Sequence, residues 1–129
     1  MKLLVDKTDL VKVEVFCWET EEGGIEASHL KTDIPQSGID QVEKVEFYFR
    51  KPSYSDSNSI IRSSDIKSTG EDVKLDVPAF QNQILRTLLV DWSIKEEDKK
   101  IAVNNATIGN LVPSVARAAV SGVLDKIKM

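Results

Sequence analysis

The chain has 129 residues, 41% hydrophobic and 29% charged, enough apolar material for one core without disulfides or a structural metal and too much for a disordered chain. Its formal net charge of −4 leaves no cationic surplus to neutralise phosphates, which sets nucleic acid aside as a partner. One cysteine, Cys17, rules out an internal disulfide, and no run approaches the roughly 18 to 20 apolar residues of a membrane span.

The opening Met1 to Val5 is apolar, but Asp6, Lys7 and Asp9 cut it short before a signal-peptide core can form, so a soluble cytosolic chain is expected. From Val11 to Trp18 the residues alternate, with Val11, Val13, Val15 and Cys17 on one side and Lys12, Glu14, Phe16 and Trp18 on the other. That period predicts a half-buried strand, with a start near Leu3 to Val5 as an alternative. Glu21-Glu22-Gly23-Gly24 reads as a turn. Residues 19–41 read as a long loop, which either hides a short strand near Ile25 to Leu30 or is a functional excursion. Val42 to Arg50 alternates again, and Lys51-Pro52 ends the strand because proline cannot donate to a ladder.

Ser53 to Asp56 supplies N-cap chemistry for a short helix carrying Ile60 and Ile61. Residues 63–76 read as a polar linker. Asp76 or Val77 then caps a helix with Pro78 in its first turn, on which Phe80, Ile84, Leu85, Leu88, Leu89 and Trp92 form one stripe. Lys95 to Lys100 is a charged connection. Asn104 or Asn105 caps a brief turn holding Ile108 and Leu111, and Pro113 opens a final helix. Gly122 weakens that helix by about 1 kcal/mol relative to alanine.

The order predicts a single α+β domain over residues 1–129: a small N-terminal antiparallel sheet or hairpin packed against C-terminal helices. Residues 1–52 are mainly β and residues 53–129 mainly α. Two strands alone make a marginal sheet, so helices must cover it or another subunit must extend it, and self-association stays open.

Chemistry is sparse. A nucleophile pair would need Cys17 to meet the one histidine, His29, with a third group orienting the imidazole, yet Cys17 alternates onto the apolar side of a strand. Cysteine and histidine total two, too few for zinc, and the Glu19-Glu22 and Glu96-Asp98 runs lack the spacing that wraps calcium. No phosphate loop or nucleophile elbow is present. No catalytic residue, metal or cofactor is therefore expected. The acids that crowd the first half, from Asp6 to Glu46, predict an acidic face. Partner binding falls to large side chains, with Trp92 and Tyr54 favoured as amphipathic aromatics and Phe80 and Leu88 beside them. Ala116, Ala119, Ser121 and Gly122 form a small-residue patch where another helix can approach.

Two stretches carry a resemblance. Glu46-Phe47-Tyr48-Phe49-Arg50-Lys51-Pro52-Ser53-Tyr54-Ser55-Asp56 resembles the strand, Arg-Lys-Pro and helix start of tail assembly chaperones of tailed bacteriophages. Leu85 to Asp91, Trp92-Ser93-Ile94, Glu96-Glu97-Asp98 and Ile108 to Val115 resemble the later half of that family. Residues 19–40 have no counterpart, and Lys99 stands where the family pattern has glycine. The resemblance implies a host-cytoplasmic chaperone that binds the tape measure protein, keeps it soluble and helps to recruit tail tube subunits. A small virion structural protein of neck, baseplate or capsid is the alternative.

Overall fold

The computed structural model describes residues 1–36, 41–66 and 74–127. Its centre is the pair of alternating runs, strand β1 (Leu10–Glu19) followed by β2 (Ile25–Ser28) and β3 (Val42–Arg50). β1 and β3 pair antiparallel along their lengths, Val13 opposite Phe47 and Val15 opposite Val45. A period of two puts these side chains, with Phe49, on one buried face. β1 begins at Leu10 and not near Leu3, because Leu3 to Val5 lie exposed and Lys2 bridges Asp6 and Asp9 in a surface cluster.

Within residues 19–41, the short strand is the reading that holds. Thr20 and Gly24 close the β1–β2 turn, and Gly23 adopts a φ of 85°, which glycine reaches without a Cβ clash. β2 pairs antiparallel with the end of β1, Phe16 opposite Ser28. A 3-10 turn follows at Lys31–Asp33, and residues 37–40 of the expected loop lie outside the described residues.

Helix α1 covers Tyr54–Ser64. Strands β4 (Asp65–Ile66) and β5 (Lys74–Leu75) pair antiparallel inside the expected linker 63–76, whose residues 67–73 lie outside the described residues. Helix α2 covers Val77–Leu88, with the Asp76 carboxylate accepting from the Ala79 N–H at 3.1 Å and Pro78 in the first turn.

The helical stripe does not continue to Trp92. α2 stops at Leu88, Leu89 turns extended (φ −71°, ψ 124°), and Leu89–Trp92 form strand β6 against β3. Phe47 pairs with Trp92 and Phe49 with Leu89, so Val90 is the extra residue of a bulge. The charged connection is a small hairpin, β7 (Lys95–Glu96) with β8 (Lys99–Lys100). Its two central residues, Glu97 and Asp98, both take positive φ, as a two-residue hairpin turn requires, and Lys99 lies in the strand. Helix α3 (Asn105–Gly109) starts at Asn104, whose side chain and that of Thr107 cap each other's backbone at 2.9 Å. Helix α4 spans Pro113–Leu124.

The four-stranded sheet has the order β2-β1-β3-β6, every neighbour antiparallel, and the helices lie against one face of it. The class is α+β, as expected, with the fourth strand coming from the C-terminal half. α4 crosses β1 and β2 and touches α2, which in turn packs on α1. Of the four residues of the small-residue patch on α4, Ala119 and Gly122 are buried inside the chain, with Gly122 against the sheet, while Ala116 is half-buried and Ser121 exposed. A Cβ at Gly122 would overlap Val13 Cγ1 and stand 3.0 Å from His29 Cβ. Among the described residues no helix is long and apolar enough to cross a membrane.

Helix propensity alone favours Gly122→Ala by about 1 kcal/mol. The contact with Val13 reverses the sign: Gly122→Ala is expected to destabilise the protein by about 1 to 3 kcal/mol in urea unfolding. In a Val13→Ala background, where the blocking methyl is gone, the same substitution is expected to lose most of that cost.

Candidate functional site

The four residues chosen from sequence as partner contacts occupy different layers. Trp92 is 1% exposed and Leu88 0% exposed, so both belong to the core. Trp92 donates its indole N–H to the Ile101 carbonyl at 2.7 Å and meets Phe47 edge to face, 6.2 Å between centroids. Neither can reach a partner in this fold. Phe80 is half-buried against the core, and Tyr54, 84% exposed, stands free at the start of α1.

Tyr54 sits on a corner fixed by its neighbours. Ser53 and Asp56 form a reciprocal cap: the Ser53 N–H donates to Asp56 Oδ2 at 3.0 Å, and the Asp56 N–H donates to Ser53 Oγ at 3.2 Å. The Arg50 guanidinium grips the same carboxylate with both terminal nitrogens, Nη2 to Oδ1 at 2.9 Å. Both side chains are mostly buried, and Arg50 is the main cause that holds the Asp56 carboxyl down to about 2. The end of β3 is thereby locked to the first turn of α1, and Tyr54 projects from a rigid base.

Cys17 and His29 do not form a nucleophile pair. Cys17 lies opposite Ala27, and His29 follows two residues further, roughly 7 Å along a strand. His29 Nε2 instead meets Asp125 Oδ2 at 2.7 Å. Burial first, and Glu43 second, push the Cys17 thiol up, away from the thiolate form that attacks. Among the described residues no three His, Cys, Asp or Glu side chains are grouped to hold a metal ion.

The sheet face away from the helices carries charged residues beside Phe16 and the buried Trp18. Glu14 stands directly opposite Glu46, a repulsive register, and Lys44 relieves it by bridging both at 3.4 and 3.8 Å. The Tyr48 hydroxyl donates to Glu46 at 2.5 Å, which lowers the Glu46 carboxyl and raises the Tyr48 phenol. Lys100 likewise lowers Asp91 by a hydrogen bond.

The sequence admits a short strand near Ile25 to Leu30 but does not show that it forms the edge of the sheet. Beside it, between β2 and α4, lies a shallow groove of about 280 Å³ that includes Ala27, Ser114, Arg117, Ala118 and Ser121. The one available signal was the weak alternation of Ile25 to Ser28. Compared with protein-family models, with curated proteins and with solved structures, the chain finds no match.

Asp56 titrates lower in the fold than its ordinary value of 3.8, so its stabilisation is complete above about pH 4 and is lost as pH falls towards 2. Asp56→Asn is expected to cost about 2 kcal/mol at neutral pH, with the difference from wild type closing by about pH 2. Urea unfolding of both proteins across that range measures it.

Proposed function

We propose that the chain is a non-enzymatic, protein-binding tail assembly chaperone of a tailed bacteriophage, acting in the host cytoplasm. It binds the tape measure protein during assembly and helps to recruit tail tube subunits. The observation that carries this reading is that the two resembling stretches meet. Phe47 lies in the first and Trp92 in the second, and they pair across β3 and β6 and touch ring to ring. The Arg50–Asp56 grip then holds the Arg-Lys-Pro corner on the same strand.

Trp92 contributes to such a protein from within, by holding β6 on β3. Contact with the partner falls to exposed groups, of which Tyr54 is the large aromatic on a rigid corner. Phe80, half-buried, can lend only its outer edge.

Co-expression of the tagged chain with the long tail protein encoded beside it, followed by pulldown and mass spectrometry of complex and virions, tests the reading. Recovery with the tape measure protein and absence from virions are expected. Presence in virions would assign the chain to neck, baseplate or capsid instead. Tyr54→Ala is expected to lower recovery of the partner several-fold with unchanged thermal unfolding; full recovery would remove Tyr54 from the contact.

A further inference from the structure

The register of β1 and β2 decides which backbone groups of β2 are spent. The Thr20 N–H donates to the Gly24 carbonyl at 2.8 Å, so that opposed pair is hydrogen-bonded. Bonded and non-bonded pairs alternate along an antiparallel ladder. Trp18/Glu26 and Phe16/Ser28 are therefore bonded, and the polar groups of Ile25 and Ala27 point away from β1. Ser114 reaches from α4 to cap the Ile25 carbonyl at 2.6 Å. By that register the Ile25 N–H and both backbone groups of Ala27 point away from the ladder, and no turn or loop bond among the described residues takes them up. The opposite edge of the sheet differs, because β6 carries the Val90 bulge, a device that discourages strand addition.

Two further observations define what this edge fits. The groove between β2 and α4 has small side chains, Ala27, Ser114, Ala118 and Ser121, that admit an extended chain, and Glu26, His29, Asp33 and Arg117 also line it. Around the β1–β2 end stand Glu19, Glu21, Glu22, Glu26 and Glu43, none in an ion pair among the described residues, with Glu19 and Glu43 on the Cys17 face of the sheet. Glu26 lies opposite Trp18, so its side chain projects to the face away from α4. A second copy is disfavoured: two β2 edges paired about Glu26 would set that carboxylate against itself.

We propose that β2 is a docking edge for a basic, extended segment of another protein, which adds as a fifth strand. Its alternate cationic side chains lie towards Glu26, and the intervening small apolar ones face the groove against α4. This inference is independent of the chaperone reading.

The full chain is titrated with a capped octapeptide of alternating lysine and valine while its backbone amide resonances are followed. The Ile25 and Ala27 amides are expected to shift, with no response to the glutamate-for-lysine peptide or to one N-methylated at alternate amides. Ala27→Pro removes an outward donor and leaves the ladder to β1 intact. It and Glu26→Lys are each expected to weaken binding about fivefold. Absence of binding, shifts confined to another surface, or affinity indifferent to both substitutions would overturn the proposal. Concentration-dependent shifts of the same amides without peptide would overturn it too, in favour of a second copy.

Discussion

The architecture depends on how closely α4 can sit on β1. Gly122 makes this approach possible, because any side chain there would enter the space of Val13 and crowd His29. With the helix seated, Val115, Ala119, Val120 and Val123 close the apolar face that Val13 and Val15 present. Side chains then fasten both ends of α4 to the sheet. Ser114 bonds to Ile25 near the start, and near the end Asp125 meets His29 while Lys126 donates to the Lys12 carbonyl at 2.7 Å. A helix from the end of the sequence thus holds two strands from its beginning.

That arrangement divides the surface. One sheet face is consumed by the core, together with Trp92 and Leu88, two of the four side chains that the sequence offers as contacts. The other face carries ion pairs made by Lys44 and Lys100 beside Phe16 and the buried Trp18. The accessible groups outside these faces lie at the periphery, where the Tyr54 corner is stiffened by Arg50 and Asp56 and the β2 edge keeps backbone groups unspent.

Local chemistry was legible wherever it decided the outcome by itself. The alternation of Val42 to Arg50, the stop at Pro52, the caps at Asp76 and Asn104 and the opening at Pro113 all have causes within a few residues, and the elements fall where those causes put them. Trp92 was misplaced because Leu85, Leu88, Leu89 and Trp92 keep a helical spacing. Pairing with β3, more than forty residues away, sets the strand instead. The small residues of α4 announced a close approach without saying to what. Pairings such as His29 with Asp125, 96 residues apart, leave no local trace. The β2 edge was hidden for a similar reason, since an unspent donor is a property of register.

Residue-resolved hydrogen exchange of the free chain tests most directly whether α4 closes one face and leaves the β2 edge open. Slow exchange is expected for the inner β1 and β3 amides around Val13, Val15 and Phe47, and fast exchange for Ile25 and Ala27 beside slow Glu26 and Ser28. Uniform protection along β2 would contradict an open edge, and rapid exchange through β1 would contradict the seat that Gly122 provides.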